Sequence, residues 1–193
     1  MKTADLLKNL EIPKGKIDVV LDTDAYNEVD DQFAIAYMLK HEDKFNVKAL
    51  YAAPFFNARS TGPADGMEKS YRELQKILEL AEVSVPTFKG SESYLISESE
   101  PVISDAAKDL ANRVKDYSPE NPLYVVAIGA ITNIASAVLL NPEVAENTVV
   151  VWLGGHSHEC GRCDEFNLYQ DVYAARVVMG CGVPFVQLPC HGV

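Results

Sequence analysis

Short apolar runs and helically spaced apolar positions take turns along this chain. IDVVL, residues 17 to 21, is β-branched and uncharged after Asp18, which predicts a buried strand. Phe33, Ile35, Ala36, Met38 and Leu39 then recur at near-helical spacing, so the polar segment between the two is a strand-to-helix turn. VKALYAAP (47 to 54) reads as a second strand, residues 64 to 81 carry Met67, Tyr71, Leu74, Ile77, Leu78 and Leu80 at helical intervals, and VPTFKG (85 to 90) is extended again. ISDAAKDLANRVKDY (103 to 117) predicts a helix with Ser104 as N-cap. LYVVAIG (123 to 129) is a strand, and TNIASAVLL (132 to 140) a helix ended by Asn141-Pro142. TVVVWLGG (148 to 155), YQDVYAARVVMG (169 to 180) and VPFVQLP (183 to 189) continue as strand, helix and strand. Steady alternation predicts an α/β fold of three layers, helices on both faces of a mainly parallel sheet.

The turn after the first strand is where the chemistry concentrates. LDTDAYNEVDDQFA places Asp22, Asp24, Asp30 and Asp31 within ten positions, the last two entering the helix. One or two aspartates at a helix N-terminus are explained by capping and the helix dipole, but four are not. Carboxylates this close repel one another unless a cation or donors compensate, and hard oxygen ligands favour calcium or magnesium. Ligands in parallel α/β sheets bind beyond the carboxyl ends of the strands, and polar residues gather at the other strand ends too. These are Asn57 after the second strand, Thr132 and Asn133 in GAITN, and Glu165 and Asn167 in GGHSHECGRCDEFN. Each alone is explained as a turn former, helix cap or solvated charge.

Composition narrows the partners. With 193 residues and 48% hydrophobic content, one core accounts for residues 1 to 193 as a single domain. Seventeen basic against 28 acidic residues give a net charge of −11, which disfavours nucleic acid and anionic membranes and suits a small ligand or a metal ion. MKTADLLKNLEIPKGK lacks the apolar core of a signal peptide, and no run is long enough to span a membrane, so a cytoplasmic location is expected. Cysteines 160, 163, 181 and 190 are then expected as reduced thiols.

Three ordered motifs, the DTD…DD turn, GAITNIASA (129 to 137) and EFN (165 to 167) followed by QDVYAARVV, resemble the calcium-dependent nucleoside hydrolases of the inosine-uridine type. The resemblance runs from residue 17 onward and implies their Rossmann-like fold. It departs at the turn, where five residues, Ala25 to Val29, replace the family's three before the paired aspartates, and the Pro-Gly is missing; the longer turn is expected to bulge outward. The resemblance implies Asp24 as metal ligand and general base, Asp31 as second carboxylate ligand, and the Ile128 carbonyl as a backbone ligand for Ca2+. It implies Asp30, Asn57, Glu165 and Asn167 as the groups that bind ribose hydroxyls, and Asp22 as a supporting residue. The implied reaction is hydrolysis of the N-glycosidic bond of a ribonucleoside to free base and ribose, in purine or pyrimidine salvage, by a homo-oligomer, dimer or tetramer.

Members of that family usually continue further, with one more aspartate ligand and often a histidine acid in the C-terminal part. The chain is therefore expected as a fragment or a short homologue with weak calcium binding and slow turnover, His191 being a tempting but terminal substitute acid. Two alternatives stand beside the hydrolase. One is a noncatalytic ribose- or nucleoside-binding module. The other is a zinc site formed by His156, His158, Cys160 and Cys163, whose ligand types and spacing suit tetrahedral coordination. In the family this loop lies over the substrate, so His156, His158 or Glu159 would instead contact the base or the ribose 5′ side.

Overall fold

All six strands run in the same direction. The structure, a computed structural model, describes residues 3 to 190. His191, the tempting terminal acid, lies outside the described residues. The strands are β1 (Ile17–Thr23), β2 (Phe45–Ala52), β3 (Thr87–Lys89), β4 (Leu123–Ala127), β5 (Thr148–Leu153) and β6 (Phe185–Leu188), hydrogen-bonded in the order β3-β2-β1-β4-β5-β6. Between and before them lie α1 (Thr3–Asn9), α2 (Val29–Lys40), α3 (Pro63–Ala81), α4 (Asp105–Arg113), α5 (Thr132–Leu140), α6 (Glu143–Asn147), α7 (Phe166–Gln170) and α8 (Val172–Gly180). The chain winds outward from β1 through β2 to β3, then returns to β4 on the other side of β1. That reversal leaves a crevice between the carboxyl ends of β1 and β4, where doubly wound sheets bind ligands.

Strand alternation assigns the two faces. Val19 and Leu21 of β1 point toward α2 and α3, joining Ile35, Met38, Leu74 and Leu78 in one core. Val20 of β1, with Leu123, Val125 and Ala127 of β4, joins the larger core made with α4, α5, α6 and α8. The next residue of that second set along β1 is Asp22, fully buried. A carboxylate thus takes a core position at the strand end.

The faces are covered unequally. Parallel register puts Val126, Val151 and Val186 side by side on the α2/α3 face, and Leu153 beside Leu188. All five are only half-buried, because α2 and α3 stand over the β1 side of the sheet.

Predicted and observed elements agree closely at α5, which spans Thr132–Leu140 as expected, and at α4, whose Ser104 side chain accepts from the Ala107 N–H at 3.1 Å. The expected helix over residues 169 to 180 is instead two, broken at Asp171, whose backbone is extended at φ −141°. Its side chain caps α8 by accepting from Ala174 N at 2.9 Å, while its other oxygen accepts from Thr132 Oγ1 and Leu95 N. Those distant partners draw Asp171 out of helical geometry. Helix α1 and the short α6 lacked a long enough apolar period to be expected.

Trp152 links this packing to the crevice. Its ring is fully buried, and Nε1 donates to the Gly129 carbonyl at 3.0 Å, fixing the chain just past β4. Trp152→Phe is expected to lower unfolding free energy by about 2 kcal/mol, through the vacated volume and the lost donor. Urea denaturation monitored by circular dichroism measures it.

Candidate active site

Asp24 follows β1 directly and is nearly fully buried. Its Oδ2 accepts from Asn27 Nδ2 at 3.1 Å, and Oδ1 lies so close to Gly129 that a Cβ built there would sit 2.9 Å away. Asp31, in the first turn of α2, is also buried and accepts from the Thr23 hydroxyl. Asp22 sits beneath: Oδ1 accepts from Asn133 Nδ2 at 2.7 Å, whereas Oδ2 is buried without a partner among the described residues. Asn133 is saturated, because the same amide nitrogen reaches the Ala52 carbonyl at 3.2 Å and its oxygen accepts from Ser91 N and Oγ at 2.8 and 2.9 Å. It ties β1, β2, the segment after β3 and α5 to one aspartate.

A cavity of about 440 Å3 opens above these carboxylates, lined by Asp24, Asn27, Asp30, Asp31, Ile128 and Asn167 among others. Glu165 and His156 also face it. Glu165 is buried and caps α7: its oxygens accept from Gly155 N at 2.6 Å, Leu168 N at 2.9 Å and Asn167 N at 3.0 Å. Asn167 spends its amide nitrogen on two carbonyls, Ile128 at 3.1 Å and Leu153 at 2.9 Å, so its oxygen is the atom left to meet a ligand. A larger cavity of about 570 Å3 lies at the opposite, amino end of the strands, lined by Lys8, Asp18 and Asn121 among others, far from the aspartate turn.

Of the residues singled out in the sequence, Asp24, Asp30, Asp31, Ile128, Glu165 and Asn167 meet at this one cavity. Asn57 stands behind it, donating from Nδ2 to Asn27 Oδ1 at 2.6 Å. The long turn does not simply bulge outward. Ala25 and Asn27 point in, 0% and 3% exposed, while Tyr26 and Val29 point out, 44% and 62% exposed, because Asn27 N donates back to the Asp24 carbonyl at 2.7 Å and closes a tight turn.

Histidines 156 and 158 and cysteines 160 and 163 share the loop between β5 and α7. Among the described residues no three His, Cys, Asp or Glu side chains are grouped to hold a metal, so the tetrahedral zinc cluster, the lesser alternative, is not assembled. His156 Nε2 instead lies 3.8 Å from Asp164, which pairs with Arg162 at 2.6 Å, and all four cysteines are unpaired thiols.

A sequence profile of the family described as inosine-uridine preferring nucleoside hydrolase matches residues 19 to 191. The chain belongs to this family. Among its relatives are an uncharacterized protein of Schizosaccharomyces pombe, C1683.06c, 38% identical over 69 residues, 34% of this chain and 22% of that protein. A probable uridine nucleosidase 2 of Arabidopsis thaliana is 31% identical over 101 residues, 50% of this chain and 31% of that protein. Among solved structures, a plant nucleoside hydrolase, the PpNRh1 enzyme, superposes with a TM-score of 0.69 at 22% identity, over 91% of this chain and 60% of that one. The match thus spans less than two thirds of each of these relatives.

The donor set of this site fits a hard divalent cation. Two carboxylates and the Ile128 carbonyl face one cavity, all oxygen. Burial pushes the Asp31 carboxyl up to about 7, aided by the charges of Asp30 and Glu28 and opposed by the Thr23 hydroxyl. Asp24 is pushed well above the ordinary carboxylate range by burial and then by Asp31. Burial likewise lifts Asp22 to about 7 against its Asn133 hydrogen bond. A cation among them would offset the burial, and the lesser repulsion, that raise them.

Asn27, the saturated Asn133 and Asp171 have roles here that the sequence reading did not assign. Asp171 had a local signal, a capping residue before a helical run. Tyr94 and Gln170 had none: the Tyr94 hydroxyl donates to Gln170 Oε1, which also accepts from Phe56 N at 2.7 Å, and burial with the nearby Asp24 charge raises the Tyr94 phenol.

These shifts set a sign for stability. Each raised carboxyl binds its proton more tightly in the fold than in the unfolded chain, so the metal-free protein loses stability as pH rises from about 4 to about 7. For Asp22, moved from 3.8 to about 7, the full effect is about 4 kcal/mol. Without divalent ions the melting temperature is therefore expected to be higher near pH ~5 than near pH ~7.5, with Asp22→Asn narrowing the gap. Calcium is expected to stabilise more at the higher pH, since its ligands must be deprotonated. Thermal melts at both pH values, with calcium and with chelator, give the comparison.

Proposed function

We propose that this chain hydrolyses the N-glycosidic bond of ribonucleosides, releasing free base and ribose, with calcium held by Asp24, Asp31 and the Ile128 carbonyl. The observation that carries the reading is the convergence of Asp24, Asp30, Asp31, Glu165 and Asn167 on one cavity at the point where the strand order reverses. When bound by Asp24, Asp31 and the Ile128 carbonyl, calcium would supply Lewis acidity that makes water easier to deprotonate. Asp24 accepts the proton of the attacking water. Asp30 and the Asn167 oxygen accept hydrogen bonds from ribose hydroxyls and set the sugar's orientation, and Glu165 adds to them through the lone pair left on Oε1, which carries a single backbone donor. Breaking the bond develops positive charge on the sugar, and the carboxylates around it stabilise that charge. His156, on the cavity wall, faces the base or the 5′ side. The four unpaired thiols support a cytoplasmic location.

A second reading, a noncatalytic ribose- or nucleoside-binding module, is favoured by the size of the donor set. Two carboxylates and one carbonyl are fewer than the roughly six to eight oxygens calcium takes.

Assay of reducing sugar released from a panel of ribonucleosides decides between them. Calcium-dependent release is expected, Asp24→Asn is expected to lower kcat by about a thousandfold, and a 2′-deoxynucleoside is expected to be at least about a hundredfold poorer in kcat/KM. An inert panel together with a melting temperature raised by ribose selects the binding module.

A further inference from the structure

We propose that Asn27, in the lengthened turn, is a positioning residue that fixes the rotation of the Asp24 carboxylate and carries the effect of Asn57 to it. The inference rests on the hydrolase reading of the site and names a residue the family pattern does not supply. It stands on four contacts. Asn27 Nδ2 donates to Asp24 Oδ2 at 3.1 Å. Its backbone N–H donates to the Asp24 carbonyl at 2.7 Å, so the amide approaches Asp24 from a closed turn rather than a flexible arm. Asn57 Nδ2 donates to Asn27 Oδ1 at 2.6 Å, and the Arg59 guanidinium donates to the Asn27 carbonyl. At 3% exposure, Asn27 is locked on every polar atom named.

The arrangement divides the two oxygens of Asp24. Oδ2 is held by Asn27, and Oδ1 faces Gly129, where a Cβ would fall 2.9 Å from it and only a glycine leaves room. A base must present one oxygen in a fixed direction, and an error of an ångström in that direction slows the reaction. Because the Asn57 amide nitrogen donates to Asn27, Asn57 acts on Asp24 through it. The orientation of the Asn27 amide follows from this chain: its oxygen must accept from Asn57 and its nitrogen must donate to a carboxylate.

The test uses Asn27→Ala, Asn27→Asp, Asn57→Ala and the Asn27→Ala/Asn57→Ala pair in the full chain. Asn27→Asp keeps the shape, removes the donor and adds a negative charge beside Asp24, whereas Asn27→Ala removes the donor without adding charge. Both Asn27 variants are expected to lower kcat by about ten- to a hundredfold with KM within about twofold. The double variant is expected to be no slower than Asn27→Ala alone, since the two residues act in series. Additive losses, or a KM rise at constant kcat, would overturn the inference. A crystal structure of metal-free Asn27→Ala supplies the readout that needs no activity: Asp24 is expected in more than one rotamer while the backbone of β1 and β4 is unchanged. A single, unmoved Asp24 rotamer overturns the proposal. If the parent chain proves inert on every nucleoside, the hydrolase reading fails, and the Asp24 rotamers still decide the positioning role.

Discussion

Burying three carboxylates, Asp22, Asp24 and Asp31, at the end of one central strand is the constraint to which the rest of this protein answers. Each loses hydration, and each feels nearby carboxylates, Asp31 acting on Asp22 and Asp24, and Asp30 and Glu28 acting on Asp31, so all three are driven toward the neutral form. The surrounding structure offsets the cost with donors: Asn133 for Asp22, Asn27 for Asp24, the Thr23 hydroxyl for Asp31. The compensation is partial, because Asp22 Oδ2 remains without a partner among the described residues. A cluster left this far from satisfied is a place where a bound cation would offset the cost of burying charge.

The same demand explains why the two halves of the sheet are stitched by buried polar side chains. Asn133 ties α5 to β1, β2 and Ser91, and Asp171 ties α8 to Thr132 of α5 and to Leu95. These bonds cross the reversal point of the strand order. Small residues serve the same end. Gly90 lies where a Cβ would fall 1.9 Å from the Ala52 carbonyl, which is what lets the segment after β3 reach Asn133. The cavity is thus tied down at its acidic floor, and its outer wall includes His156 and the Arg162–Asp164 pair of the loop after β5.

Much of this could be read from residue order. The alternation of apolar runs gave the strands and most helices, because a strand buried on both faces and a helix buried on one leave distinct periods. The family motifs named Asp24, Asp31, Ile128, Glu165 and Asn167, and all of them meet at one cavity. Glu165 and Asn57 show the limit. Sequence offers a carboxylate and an amide at strand ends, but not that Glu165 spends both oxygens on backbone N–H groups, nor that Asn57 reaches the site only through Asn27. Such partnerships depend on where separate loops meet.

What the sequence by itself determined is local: which segments are strands, which are helices, and that the acidic turn lies at a strand-to-helix junction. These follow from periodicity and capping, which act over a few residues. Only the tertiary structure decided the order of the strands, and with it the crevice between β1 and β4. Only it turned Asn27 inward, broke the expected helix at Asp171, and left Val126, Val151 and Val186 half-covered on one face. Each of these is settled by contacts between residues far apart in the chain, where burial and hydrogen-bond partners outweigh local preference.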